Sequence, residues 1–421
     1  MPINNKIALT GICAVALLLS SQLFSTRAES PQPTSTPTSK TPREQIKQLP
    51  PPVLVATAAP AQQANPRKAK PIAAMDRWTY FRGNALSQGV ANTTLPKKPV
   101  LLWTYEVPEG AFEVTAAIVN SVVYIGDLDG TLVALSLTTG QVFWQTTIES
   151  GFVSSPAYLN GNIYLGDYDG VFYCFNTTDG SLVWKYVTGA EVSSSANFYK
   201  DNVLVGSQDA TLYCINATSG KLTWKHELAD QIRCSPTVVG DHTFVAGCDA
   251  KLHIIDLAKG EKISTVELDG PTGSTPAVVG DHVFFGTEGA SIYSINWRKA
   301  EVNWHYTSEE SAMPYRSSVA LKDDILVIGG RNRLVQAFNT KTGKELWQFK
   351  ANGRVDASPV IVGNRVFVGS SDGRIHAFNL KTGKRVWQYE AGGDFAAAPA
   401  IAEQRLVIAS GDGKVYCFGE K

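Results

Sequence analysis

The string AFNLKTGKRVW at residues 377–387 decides the fold, because variants of it recur along the chain, mostly at a spacing of 40 residues. The other clear copies are ALSLTTGQVFW at 134–144, CFNTTDGSLVW at 174–184, CINATSGKLTW at 214–224 and AFNTKTGKELW at 337–347. Repeats of about 40 to 50 residues that hold four short strands each are typical of β-propellers. Residues that follow this period are therefore assigned to the scaffold, and functional residues are expected among those that depart from it.

The unit 344–383 shows the predicted strands most clearly. The segments DASPVIVG, RVFVGS and RIHAFNL stop at Gly363-Asn364, Asp372-Gly373 and Thr382-Gly383, and KRVWQYE follows. Asn or Asp next to Gly supplies the positive backbone angles that tight hairpins require. Each unit is thus predicted to form one blade of four antiparallel strands.

The chain contains eight predicted first strands but only seven fourth strands that follow them. The first strands begin with VTAAIV at 114–119 and then start near Val153, Ser193, Arg233, Gly273, Arg316, Asp356 and Ala396. The missing fourth strand is VLLWTYEV at 100–107, which carries Trp103 in the tryptophan position and has no blade before it. Pairing it with the last blade would close the ring and remove the exposed sheet edge. We therefore predict an all-β fold, an eight-bladed propeller over residues 77–421.

One tryptophan recurs near the end of each unit, and its spacing predicts packing across adjacent blades. These scaffold tryptophans are Trp103, Trp144, Trp184, Trp224, Trp304, Trp347 and Trp387, and Ser264 is the exception. A Ser or Thr recurs in most first strands at the position of Ser235. We interpret these hydroxyls as partners of backbone groups near a hydrated axis, with a polar lining for a ligand as the alternative.

Composition narrows the classes of partner. The chain has 421 residues, 44% of them apolar, with 38 basic and 38 acidic residues and a net charge of zero. No basic excess is present to neutralise phosphates, so nucleic acid is not an expected partner.

The N-terminal part of the chain differs from the repeats. Residues 1–28 are predicted to be a signal peptide or an N-terminal anchor, because Ile7 to Leu19 is nearly all apolar and Thr26-Arg27-Ala28 resembles a cleavage site. Residues 29–76 are rich in Pro, Ala, Ser and Thr and contain no aromatic residue, which predicts a disordered linker. Contact with a membrane is expected only through an uncleaved anchor.

Five cysteines lie outside the leader: Cys174, Cys214, Cys234, Cys248 and Cys417. Cys174, Cys214 and Cys417 share one repeat position that other units fill with small residues, so we interpret them as buried packing residues. Cys234 and Cys248 belong to one unit, but a tight turn at Gly240-Asp241 would place them on opposite faces of the hairpin. A disulfide between them is therefore not expected.

The unit resembles the PQQ-type (quinoprotein-like) repeat, whose tryptophan-docking motif runs Ala-x-Asp-x-x-x-Gly-Lys-x-x-Trp. Ala377, Gly383, Lys384 and Trp387 match it in order, while Asn379 stands where the family often has Asp. The resemblance covers about residues 78–421, including the approach segment WTYFRGN that begins at Trp78. In layout the chain is most similar to the propeller subunit of the outer-membrane β-barrel assembly machinery, which would imply a scaffold without catalysis.

Quinoprotein alcohol dehydrogenases share the same repeat, and resemblance to them would imply an oxidoreductase with a quinone and calcium over the axis. They carry a vicinal cysteine pair and calcium ligands on long inserted loops. This chain has no Cys-Cys dipeptide, and its insertion near Ser308 to Tyr315 adds only a few residues. A hard cation needs six or more oxygens, and no acidic cluster departs from the period to provide them. No cofactor, metal ligand or catalytic residue is therefore predicted.

A binding site is expected in the loops between fourth and first strands, which converge on one mouth of the ring. The residues predicted to face the axis there are Glu113, Val153, Ser193, Arg233, Gly273, Arg316, Asp356 and Ala396. Two arginines and two carboxylates in one ring could pair across the channel or engage a partner, and the sequence leaves both possibilities open. Because exposed arginine and aromatic residues are enriched at interfaces, the predicted partner-binding residues are Arg233, Tyr315, Arg316, Arg354 and Phe395.

These observations predict an exported, monomeric propeller in the periplasm or cell envelope that binds envelope proteins without catalysis. Outer-membrane protein assembly is the expected process. The alternatives are a PQQ-dependent alcohol or sugar dehydrogenase, and a protein that binds a small ligand or polysaccharide at the channel mouth.

Overall fold

A computed structural model describes residues 76–308 and 312–421. The predicted leader 1–28 and all of the predicted linker 29–76 except Asp76 lie outside these residues. Across the two described ranges the chain forms strands and turns only, and none of it is a helix long and apolar enough to cross a membrane.

Eight four-stranded antiparallel blades form the predicted propeller, and we number them 1 to 8 from Glu113 onward. The first, innermost strands of blades 1 to 8 are β3 (Ala117–Val119), β7 (Ala157–Leu159), β11 (Asn197–Tyr199), β15 (Thr237–Val239), β19 (Ala277–Val279), β23 (Ala320–Lys322), β27 (Val360–Val362) and β31 (Ala400–Ala402). The second strands are β4 (Val122–Gly126), β8 (Asn162–Gly166), β12 (Asn202–Gly206), β16 (His242–Ala246), β20 (His282–Gly286), β24 (Ile325–Gly329), β28 (Arg365–Ser370) and β32 (Arg405–Ser410).

The outer half of each blade is equally regular. The third strands are β5 (Thr131–Ser136), β9 (Val171–Asn176), β13 (Thr211–Asn216), β17 (Lys251–Asp256), β21 (Ser291–Asn296), β25 (Leu334–Asn339), β29 (Arg374–Asn379) and β33 (Lys414–Gly419). The outermost strands of blades 1 to 7 are β6 (Val142–Thr147), β10 (Leu182–Val187), β14 (Leu222–Glu227), β18 (Glu261–Glu267), β22 (Glu301–Thr307), β26 (Glu345–Lys350) and β30 (Arg385–Glu390).

The ring closes as the sequence predicts. β2 (Val100–Glu106) pairs antiparallel with β33 and supplies the outermost strand of blade 8. The register joins Leu101 to Phe418 and Trp103 to Cys417. The indole Nε1 of Trp103 then donates to the Leu137 carbonyl of blade 1 at 2.9 Å, so one strand links the last blade to the first.

The scaffold tryptophans join neighbouring blades. Trp347 of blade 6 lies against Gly383 of blade 7, where a Cβ would come within 2.6 Å of the indole, and its Nε1 donates to the Leu380 carbonyl at 2.9 Å. Gly383 has a φ of +67°, a left-handed conformation that favours glycine. The docking loop therefore belongs to the next blade along the chain.

The junction between blades 4 and 5 uses a different tryptophan. Ser264 occupies the usual tryptophan position in β18, opposite Ile254. Trp297, which comes from the blade 5 loop, is buried and packs on Phe244 of blade 4 with ring centroids 5.4 Å apart. The indole thus fills this junction from the opposite side.

Residues 76–98 form a strap along the axis-facing edges of the first strands. Trp78 pairs with Ile118 of blade 1, and the strap carbonyls then accept backbone N–H groups of later blades, ending with Gly89 bound to Ile361 of blade 7 at 2.8 Å. The short strand β1 (Val90–Ala91) pairs parallel with β27. Asp76 accepts the Glu403 N–H of blade 8 at 2.7 Å, so the strap contacts both ends of the ring.

Candidate functional site

The predicted axis-facing residues all line one central cavity of about 180 Å³. We call the following set the axis ring: Glu113, Val153, Ser193, Arg233, Gly273, Arg316, Asp356 and Ala396. The mouth is the end of the propeller at which these residues lie, where each outermost strand leads into the next blade. Phe81 of the strap also lines the cavity.

A ring of hydroxyl groups lies deeper in the cavity, two residues after each axis-ring position and just before each first strand. We call it the hydroxyl ring, and it comprises Thr115, Ser155, Ser195, Ser235, Thr275, Ser318 and Ser358, with Ala398 at the same position in blade 8. Six of the hydroxyls accept a backbone N–H from the preceding blade, for example Ser195 from Ser155 at 2.9 Å. These hydrogen bonds link the segments that precede the first strands of neighbouring blades around the axis.

The cavity shares lining residues with a wider vestibule of about 840 Å³ at the mouth. The charged residues that line the vestibule are Glu113, Glu191, Asp230, Arg233, Glu288 and Arg316. The half-buried thiol of Cys248 also lies there, and partial burial raises its pKa. All five cysteines outside the leader are free thiols.

Charges on one half of the mouth are neutralised by ion pairs that join successive blades. Glu288 of blade 5 binds Arg316 of blade 6 at 2.8 Å, and Arg331 of blade 6 binds Asp356 of blade 7 at 3.0 Å. Arg354 of blade 7 lies 3.7 Å from Asp394 of blade 8. We call blades 5 to 8 the paired half of the mouth.

Charges on blades 1 to 4, which we call the open half, are not neutralised in this way. Glu113, Glu191 and Asp230 have no ion-pair partner among residues 76–308 and 312–421. Tyr168 is 44% exposed, and its pKa is raised by partial burial and by the nearby carboxylates of Glu113 and Glu191. The open half therefore presents three unpaired carboxylates, which outnumber the exposed Arg233, beside an exposed aromatic ring.

The predicted partner-binding arginines lie at the mouth in different settings. Arg233 is exposed and its guanidinium donates to the Gln231 side chain at 2.9 Å. Arg316 and Arg354 belong to the ion pairs of the paired half. No ion pair across the channel is formed within the described ranges, because each charged side chain of the axis ring binds a near neighbour or remains unpaired.

The expectation that Tyr315 and Phe395 are exposed is wrong. Both are 1% exposed, and the Tyr315 hydroxyl donates to Gln336 at 2.8 Å inside the protein. They precede the axis ring by one residue, and successive side chains of an extended segment point to opposite sides. The same repeat position holds Phe112, Phe152, Val192, Ile232 and Val355 in other blades, all buried. That recurrence is the sequence signal that identifies a core position.

The residues at the mouth do not fit the calcium ion of the quinoprotein dehydrogenases. No three His, Cys, Asp or Glu side chains in the described part of the chain are placed to hold a metal ion together. The vestibule carboxylates are spread over blades 1 to 5 rather than gathered at one point.

Comparison with known proteins places the chain among such propellers. A family model described as outer membrane protein assembly factor BamB matches residues 100–235, 208–330 and 312–419. The chain belongs to this family. Membership in the BamB family, together with the propeller fold, supports a scaffold or protein-interaction role in general.

Solved structures share the fold at low sequence identity. BamB from Moraxella catarrhalis is 18% identical with a TM-score of 0.66, over 77% of this chain and 98% of that one. Quinohemoprotein alcohol dehydrogenase from Comamonas testosteroni is 13% identical with a TM-score of 0.70, over 83% of this chain and 82% of that one. A europium-containing methanol dehydrogenase is 12% identical with a TM-score of 0.68, over 82% of this chain and 98% of that one. A search of curated protein sequences gives no significant match.

Proposed function

We propose that the chain is a non-catalytic scaffold of the cell envelope that binds a partner protein through the open half of its mouth. Outer membrane protein assembly, the process in the name of its family, is the setting in which we place it. The observation that carries the proposal is the contrast between three interblade ion pairs on blades 5 to 8 and the unpaired carboxylates on blades 1 to 4.

The chemistry of the open half indicates the kind of partner. Glu113, Glu191 and Asp230 give this surface a local negative charge, and Tyr168 adds an exposed aromatic ring. Complementary charge steers association and fixes register, while aromatic residues often dominate interface energies. The partner segment is therefore expected to be basic and to carry an apolar anchor.

A dehydrogenase is the weaker proposal. Its support is the shared fold, and fold alone does not carry a function. The described mouth lacks a set of side chains placed for the metal ion that such a reaction uses.

Charge reversal tests the proposal. The variant Glu113→Lys, Glu191→Lys, Asp230→Lys should lose the proteins that cross-link to the wild-type chain in intact envelopes, as measured by quantitative mass spectrometry. The matched control, Asp201→Lys, Glu261→Lys, Glu301→Lys, makes the same change of charge at exposed carboxylates away from the mouth and should keep them.

Equal recovery of the same partners by both variants would reject the mouth as the binding surface. Raising the salt concentration during capture should weaken the wild-type interaction, because exposed charges are screened within about 10 Å at 0.1 M salt.

A further inference from the structure

The hydroxyl ring contains buried O–H groups that have no acceptor among the described protein atoms. A hydroxyl that accepts a backbone N–H still has one proton to donate. In the described residues no member of the hydroxyl ring donates to a protein atom, and the oxygen of Thr115 has no hydrogen-bond partner. All seven are buried in the scaffold yet line the axial cavity. Leaving a buried polar group without a hydrogen bond costs about 1–3 kcal/mol of stability, so an acceptor on the axis would be stabilised by these donors.

The preceding repeat position shows that this is not a general property of the first strands. Ser317 accepts the Gly329 N–H at 2.8 Å and donates back to the Gly329 carbonyl at 2.9 Å. Ser274 donates to the Ser317 carbonyl at 3.1 Å. These hydroxyls satisfy themselves within the protein, whereas those of the hydroxyl ring keep their protons free for the cavity.

A buried cation lies beside the ring. Arg82 of the strap is 1% exposed, and its Nη2 donates to the carbonyls of Val319 and Pro359, which directly follow Ser318 and Ser358. Its Nε and Nη1 have no hydrogen-bond partner in the described chain, and no described carboxylate forms an ion pair with it. Burial lowers the pKa of this guanidinium to about 9, which still leaves it charged at neutral pH.

Nothing at the depth of the hydroxyl ring balances that charge. The other residues that line the cavity there are Val114, Ala398 and Phe81, and all three are apolar. The lining carboxylates, Glu113 and Asp356, lie in the axis ring, and Asp356 is bound to Arg331. The uncompensated positive charge of Arg82 beside the ring disfavours a cation in the cavity. The volume of about 180 Å³ exceeds the roughly 30 Å³ that one water occupies, so a small ion with some hydration fits.

We propose that the axial cavity is a binding site for a small anion that carries only hydrogen-bond acceptors, of the kind represented by chloride or inorganic phosphate. The hydroxyl ring supplies converging O–H donors. Arg82 does not line the cavity, but from its place beside the ring it contributes positive charge. The vestibule is its entrance. The site does not depend on a partner protein, so it stands or falls separately from the proposed scaffold role.

Anomalous diffraction from crystals soaked in sodium bromide tests the site directly. One bromide peak on the axis, within hydrogen-bond distance of several ring hydroxyls, is expected. Calorimetric titration with bromide and with inorganic phosphate, at constant ionic strength, then distinguishes a halide site from an oxyanion site. Ordered water on the axis, with no bromide peak and no heat from either probe, would overturn the proposal.

Variants of the ring sharpen the test. Ala398→Ser would supply the missing eighth hydroxyl and should tighten anion binding roughly two- to tenfold. Ser195→Ala combined with Ser235→Ala should weaken it by about tenfold or more, and Ala398 shows that alanine is accommodated at this position. Ser219→Ala, in an exposed loop, is the matched control and should change nothing. Unchanged affinity in both the Ala398→Ser and the double variant would also overturn the proposal, since neither addition nor removal of donors would then matter.

Discussion

The junctions between blades and the mouth of the ring follow opposite rules. At a junction such as that of blades 6 and 7, Trp347 meets Gly383 and Leu380 of the next blade, and equivalent contacts recur around the ring. At the mouth, Glu113, Glu191 and Asp230 occur once each and have no ion-pair partner in the described chain. Stability therefore resides in residues that repeat, and we propose that recognition uses residues that do not.

The largest effect is expected from a junction tryptophan. Trp347→Ala should lower the free energy of unfolding by roughly 3–5 kcal/mol, because it leaves a cavity between blades 6 and 7 and removes the hydrogen-bond donor of the Leu380 carbonyl. Urea denaturation measures the loss, and Leu346→Ala, the exposed neighbour on β26, should cost less than about 1 kcal/mol. Similar midpoints for the two variants would show that the tryptophan does not hold the junction.

A junction should also carry the pH dependence of stability. His376 of blade 7 packs on Phe349 of blade 6 and is 2% exposed, and burial lowers its pKa from the ordinary 6.5 to about 4, against the opposing effect of Asp372. The folded state therefore favours the neutral ring. The neutral His376 ring contributes fully to the free energy of unfolding above about pH 6.5. That contribution, on the order of 3 kcal/mol, is lost as the pH falls to 4.

Thermal melts between pH 7 and pH 4 measure that loss. His376→Tyr is the matched variant, since other blades carry Tyr293 or Tyr416 at this position, and its melting temperature should fall less over the same range. If the melting temperature of His376→Tyr fell as steeply with pH as that of the wild-type protein, groups other than His376 would be responsible for the acid sensitivity.

The smallest effect is expected in the paired half of the mouth. Asp394→Asn removes an exposed ion pair with Arg354 and should change the free energy of unfolding by less than about 1 kcal/mol. It should also leave capture of partner proteins unchanged, as measured by cross-linking in intact envelopes. Loss of partners in this variant would mean that the paired half also takes part in binding and that the two halves do not differ in this respect.

Periodicity explains why so much of the scaffold could be predicted from sequence. A fixed repeat and short hairpins determine the register, so eight blades and the closing strand around Trp103 follow from the residues alone. The same register places all eight predicted residues in the axis ring. The buried positions of Tyr315 and Phe395 were also encoded, because that repeat position is apolar in most blades.

Features outside the repeat could not be derived in this way. The path of the strap and the burial of Arg82 depend on a segment that occurs once. Trp297 of blade 5 packs on blade 4 in place of the missing tryptophan, a contact between two repeats. In the sequence it is marked only by Ser264 in the tryptophan position and by Ala300 where other loops have glycine. Ion pairing at the mouth depends on side-chain reach between blades, which no single repeat contains.

Site-specific photo-cross-linking in intact cells tests whether the open half of the mouth binds a partner protein. A photoreactive residue at Tyr168, in the open half, should give a discrete adduct with a partner protein, and Glu113→Lys, Glu191→Lys, Asp230→Lys should abolish that adduct. The same probe at Phe143, which is 61% exposed on the outer strand of blade 1, should not give it. An adduct from Phe143 but not from Tyr168, or a Tyr168 adduct that survives charge reversal, would contradict recognition through the open half of the mouth.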